Sequence, residues 1–196
     1  MIDPVRHQQL EELNMAEVCT RILANARNEL YLNMRCLDVA LSSLRYEAAP
    51  DCAGVGTDGF AIYYRPEYLG RLLLQGRVTV NRCYLHMVLH CLFCHMDTRG
   101  RRGEEDWGLA CDIAVESVID GLYLRCIHRQ PSLYRQDWYG RMRKVLPVLN
   151  AEGVCHILEE MQLPPKQRKR LAAEFYVDDH QYWELPGDDP GLPITR

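Results

Sequence analysis

No stretch of the 196-residue chain approaches the roughly 20 apolar residues needed to span a bilayer. The first thirty residues also lack the apolar core and small-residue cleavage site of a secretory signal. A basic surface is missing too: 23 Lys and Arg stand against 27 Asp and Glu, which excludes a general nucleic-acid binder. The two short basic runs, Arg99 to Arg102 and Lys166 to Arg170, read as solvated loop or helix ends. No internal repeat or low-complexity tract divides the sequence. These absences predict a cytoplasmic protein with no membrane and no nucleic-acid partner. What is present in excess is cysteine. The nine residues are odd in number and scattered from Cys19 to Cys155, so most of them read as small buried residues and not as a disulfide framework.

With 47% hydrophobic and 26% charged residues, a chain of this length buries its own core and needs no staples. From Gln8 to Glu47, Leu10, Leu13, Val18, Ile22, Leu30, Leu37 and Leu41 recur at helical spacing with no proline between them. Pro50 and the cluster of Gly54, Gly56, Asp58 and Gly59 end that block. Phe60 to Tyr64, aromatic and β-branched, reads as a strand, and Tyr68 to Leu74 as a short helix stopped at Gly76. Two helices then flank a charged loop over Asp97 to Asp106. The first is Asn81 to Met96. The second is Trp107 to Ile127, with Trp107, Cys111, Val115, Val118 and Leu122 on one stripe. Val145 to Tyr176 gives two more helices, broken at Pro164 and Pro165. The fold class expected is α+β, mainly helical with a small β-sheet or hairpin. Residues 1–184 form one domain, its first 50 residues helical, and 185–196 read as a linker-like tail rich in proline, glycine and aspartate.

His86-Met-Val-Leu-His90 is the most informative segment. Histidines at i and i+4 lie about 40° apart around a helix and about 6 Å apart along it, so both imidazoles reach one metal ion. The helix is otherwise apolar, and histidines inside such a surface need partners. Cys94 is about 12 Å along the axis from His86, too far to share that ion. His95 sits about 140° round from His90 and joins only if the helix breaks first, which no residue between Cys91 and Cys94 enforces. Cys91-x-x-Cys94 has no second CxxC pair and reads as packing. Further ligands come better from the second helix, where Asp112 and Glu116 stand at i and i+4; the alternative is that they face water or pair with arginines such as Arg82 or Arg125. Asp178-Asp-His180 either approaches the metal or caps and turns the chain.

Together, Gly59 to Tyr68, His86 to His95, Trp107 to Glu116 and Asp178 to Trp183 resemble the zincin-like metallopeptidase domain that precedes von Willebrand A-like domains in bacterial proteins. The resemblance covers roughly residues 50 to 185. That family's pattern is a DG-strand, an HExxHxxxxH helix, a W-x-x-A-x-D helix and a late DDH-x-x-W. It implies a zincin-like fold and one zinc ion held by His86, His90 and Asp112. His95 matches the later helix histidine, and Glu116 and His180 are further candidates. It also implies a peptide or protein substrate, a von Willebrand A-like domain and an AAA-type ATPase as partners. One residue departs: Met87 stands where HExxH has its glutamate. That glutamate does general acid-base work worth about 10²–10⁴-fold, and methionine has no proton to exchange. The readings that follow are a metal-binding, catalytically impaired homologue, a peptidase in which Glu116 replaces the base, or a metal-free interaction module. In the first, a glutamate restored at position 87 raises hydrolysis.

Overall fold

The computed structural model describes residues 4–100 and 102–184, with side chains over 14–100 and 102–183. Among the described residues, eight α-helices and a three-stranded sheet give the mainly helical α+β architecture expected. Helix α1 runs Pro4–Asn33, and a 3-10 turn at Arg35–Leu37 leads into α2, Asp38–Ser43. Strands β1 (Arg45–Ala48), β2 (Val55–Thr57) and β3 (Ala61–Tyr64) follow, then α3 (Pro66–Gln75), α4 (Arg77–Leu92) and α5 (Glu104–Gly121). The last helices are α6 (Leu133–Met142), α7 (Ala151–Met161) and α8 (Pro165–Phe175), before a 3-10 turn over His180–Glu184. No helix among the described residues is long and apolar enough to cross a membrane. The expected tail over 185–196, with Leu10 and Leu13 of the expected first stripe, lies outside the described residues and side chains.

Local chemistry explains most boundaries. Pro66 and Pro165 open α3 and α8, where a missing N–H costs nothing. The side chains of Ser132 and Asn150 cap α6 and α7 by accepting from Arg135 N and Gly153 N. Glu104, Glu105 and Asp106 sit in the first turn of α5, against the positive end of its dipole.

Several expectations are corrected. The helical block does not reach Glu47: the chain extends at Leu44, and Arg45–Ala48 pairs parallel with β3. β2 lies inside the glycine cluster read as a turn, antiparallel to β3. The two are joined by a loop in which Asp58 Oδ1 accepts from Phe60 N and Ala61 N while Gly59 has φ 90°. The buried face of α1 is Cys19, Leu23, Ala26 and Leu30, one residue on from Val18, which is half exposed. On α5, Val118 is exposed, and Leu122 lies beyond the helix end. Helix α6 was not anticipated, because its run is polar and weakly periodic.

Helix α4 ends at Leu92, four residues before the expected Met96. Cys94 has φ 54°, its N–H donates to Cys91 O at 3.1 Å, and His95 N–H donates to His90 O at 3.1 Å. That pair of bonds is the Schellman C-cap, normally built on glycine, so no residue type announced it.

Two apolar clusters form the core. One joins α1, α3, α4 and the sheet; the other joins α5 to α6, α7 and α8. Helix α5 enters both, with Val115 and Ile119 in the first and Trp107, Cys111 and Ile113 in the second.

Candidate metal centre

Helix α4 packs against α5, and its inward face carries both histidines with no exposed surface. His90 Nε2 lies 2.8 Å from His86 Nε2. Asp112 of α5 brings Oδ1 to 3.2 Å from His86 Nε2 and 3.5 Å from His90 Nε2. A fourth group arrives from the segment after α8: Asp178 Oδ1 is 3.3 Å from His86 Nε2 and 3.6 Å from His90 Nε2. The chain between Val177 and Trp183 is held there by Asp179, whose N–H donates to Val55 O of β2 at 2.7 Å. The Asp179 carboxylate accepts from Ala53 N and Gln181 N, and Tyr182 stacks on Tyr63 with centroids 4.4 Å apart. Two glycines permit the approach. A Cβ on Gly56 would lie 2.6 Å from Asp179 O, and one on Gly108 would lie 2.5 Å from His180 Nδ1.

His86, His90, Asp112 and Asp178 therefore present one donor atom each, all within 4.8 Å of one another and all buried, and together they could hold a metal ion. Zinc with bonds of about 2.0–2.1 Å sets tetrahedral donor edges of about 3.3 Å, the size of the separations found here. Asp178 Oδ2 is buried with no hydrogen-bond partner, an unmet acceptor that a cation would satisfy. Two imidazoles and two carboxylates are donors that suit zinc chemically. By chemistry and by spacing, the residues fit the ion.

Protonation agrees with this. Burial disfavours the charged form of each group, yet hydrogen bonds to Asp112, Asp178 and Glu116 outweigh it at His86 and hold its pKa well above the ordinary histidine range. His180 Nε2, 3.1 Å from both Asp112 Oδ1 and Asp178 Oδ1, is likewise raised to about 10 against its burial by the two carboxylates. Asp112 and Asp178 are pushed below the usual carboxylate range: burial opposes the shift, and His180 leads what overcomes it. Protons on His86 and His180 thus balance the carboxylates, and a divalent cation supplies the same charge while leaving the imidazoles neutral.

A second ring of contacts supports the histidines. Glu116 Oε1 is 3.0 Å from His86 Nδ1, on the opposite side of the ring from the donor group. Burial, with His90 beside it, pushes His95 down to about 3. Its Nδ1 lies 2.9 Å from His90 Nδ1, a hydrogen bond whose direction follows the tautomers of the two rings. Trp107 Nε1–H donates to His95 O at 2.8 Å and fixes the turn. The helix break that brings His95 back is the one not foreseen. His180 stacks on Trp183 with centroids 4.0 Å apart and closes the outer side.

Of the residues singled out in the sequence, His86, His90 and Asp112 meet. Glu116, His95 and His180 lie around them: Glu116 pairs with Arg82, one of the two arginines foreseen, and with Arg135. The Cys91-x-x-Cys94 thiols stay apart from the donor group, with Cys94 exposed. Asp178 was legible only as part of a polar run. Met87 is wholly buried in the first apolar cluster. The strand over Phe60 to Tyr64 has no free edge, since β3 is central in the order β1-β3-β2, and the far edge of β2 carries Asp179. A cleft of about 580 Å³ between α5 and α8 ends on Asp112, Asp178 and His180.

The model of a protein family described as "Putative metallopeptidase domain" matches residues 19–126, more than half of the chain. The match takes in His86, His90, Asp112 and Glu116 and stops short of Asp178 and His180. Neither the curated proteins nor the solved structures contain a match.

Proposed function

Since the chain belongs to this metallopeptidase-domain family, we propose that it holds one zinc ion through His86, His90, Asp112 and Asp178 and does not hydrolyse peptides. The observation that carries the reading is the convergence of four buried donor atoms from α4, α5 and the segment after α8, one of them on a carboxylate with an unmet oxygen. Bound there, zinc supplies a charge that ties the three elements together, and Lewis acidity if a substrate oxygen reaches it.

Neither of the two positions expected to carry the base is suited to it. Met87 replaces the glutamate that the family resemblance calls for. Glu116, the candidate substitute, faces Nδ1 of His86, so the imidazole ring stands between its carboxylate and the donor group, and its second oxygen is taken by two arginines. A general base must lie within hydrogen-bond reach of the proton it takes. Four protein donors also match the count of structural zinc sites, whereas catalytic sites keep three and an open position.

The test is metal analysis of protein purified without a metal-affinity column, beside a His86→Ala/His90→Ala double variant, with peptide hydrolysis assayed on both. About one zinc per wild-type chain, little in the double variant and no chelator-sensitive hydrolysis is the expected result. Equal low occupancy overturns the metal site, and hydrolysis abolished by chelation overturns the inactive reading.

A further inference from the structure

Glu116 carries a charge deep in the protein that the donor group does not use. Its Oε2 accepts from Arg82 Nη2 at 2.6 Å and from Arg135 Nη1 at 2.5 Å. The same two arginines bind Asp120, through Oδ1 at 2.6 Å and Oδ2 at 3.3 Å, and Tyr139 O–H donates to Asp120 Oδ2 at 2.9 Å. Carbonyl oxygens take further guanidinium protons, Ile127 O from Arg82 and Glu174 O from Arg135. Glu116 and Asp120 thus neutralise the two guanidinium groups beside a cavity of about 400 Å³, with the Glu174 carboxylate 3.5 Å from Arg135 Nε. An assembly of this kind is costly to bury and gives little stability over apolar packing of the same volume.

Its geometry has another consequence. With Oε2 clamped by the guanidinium groups, Oε1 is left at 3.0 Å from His86 Nδ1. We infer that Glu116 is a positioning residue: clamped by Arg82 and Arg135, it takes the Nδ1–H of His86 and so fixes the tautomer and ring orientation that turn Nε2 toward His90, Asp112 and Asp178. The role rests on the reading of those four residues as a metal site. An imidazole presents a lone pair on one nitrogen only when its proton is on the other, and a carboxylate at Nδ1 holds it there and makes Nε2 a stronger donor. Asp120 contacts the same arginines but not His86, which separates positioning from the upkeep of the ion pairs.

The experiment measures zinc affinity by chelator competition and the visible absorption of the cobalt(II) form for the wild type, Glu116→Gln and Asp120→Asn, with metal-free melting as the stability record. Glu116→Gln is expected to weaken zinc by about 10–100-fold and to change the cobalt bands, while Asp120→Asn weakens zinc less, even where it lowers metal-free stability as much. If Glu116→Gln does not fold, Glu116→Asp keeps the charge between the arginines and withdraws the oxygen from Nδ1, and the same weakening is expected. Zinc bound equally by the wild type and the Glu116 variant, or lost equally from the Glu116 and Asp120 variants, overturns the positioning role alone. A wild type that binds no zinc overturns the metal reading, and this role with it.

Discussion

Asp112 and Glu116 are one helical turn apart on the same face of α5 and both buried, yet they meet opposite nitrogens of one imidazole. Asp112 faces Nε2 and belongs to the donor group; Glu116 faces Nδ1 and belongs to an arginine clamp that holds its pKa at about 2 against burial, with His86 the leading cause. Side-chain reach and the height of each residue along His86 divide the labour. Position 87 is a different case. Met87 packs in the apolar cluster with no exposed surface. Restoring the motif by Met87→Glu therefore places a carboxyl group among apolar groups, at about 1–3 kcal/mol as the neutral acid and more if it ionises. In a chain of this size the neutral acid alone lowers Tm by roughly 2–12 °C. Thermal melting of the metal-free variant checks this, and a Tm equal to the wild type's would place the new carboxylate at a polar partner. Any gain in hydrolysis from a restored base comes with that loss.

Helix α4 shows how one element both carries and completes a site. Its body delivers His86 and His90; its end, through the bonds to Cys91 O and His90 O, turns His95 back under His90. The turn needs a left-handed residue, and Cys94 fills a place that glycine occupies without the Cβ penalty. Cys94→Gly is expected to raise Tm, because removing that penalty yields about 1 kcal/mol net of glycine's extra chain entropy, or roughly 2–4 °C. Zinc content should not change, since the thiol is exposed and outside the donor group. Calorimetry and metal analysis on one preparation check both parts; a lower Tm would mean that the thiol contributes more than its backbone strain costs.

The four donors straddle the two halves of the core. His86 and His90 come from α4, in the cluster with α1 and the sheet; Asp178 follows α8, in the cluster with α6 and α7; Asp112 sits on α5, which belongs to both. An ion at that junction cross-links halves otherwise joined through α5 and a few strap contacts, so metal binding becomes folding stability. Zinc at 100 times its dissociation constant adds about 2.7 kcal/mol, or roughly 5–10 °C in a chain of this size. Chelation should lower Tm by that amount in the wild type and leave the His86→Ala/His90→Ala variant unmoved. A wild-type Tm indifferent to chelator and to added zinc would contradict the cross-link.

Much of what depends on neighbours along the chain was legible in the residues. The i, i+4 spacing of His86 and His90, the acids of α5 and the break at Pro164 and Pro165 follow from side-chain chemistry within a few turns, and the missing motif glutamate from the family resemblance. Most of the rest depends on contacts between distant residues. Arg45–Ala48 is a strand only because β3 offers it an edge, and the turn at Cys94 uses a residue type that does not announce it. Asp178 reaches His86 from 92 positions away through Asp179 on β2 and the space left by Gly56 and Gly108. Spacing could name Asp112 and Glu116 as a pair of acids on one face; only the packing of α4 on α5 assigns one to each nitrogen of His86, because the ring presents its two nitrogens to different places in the fold.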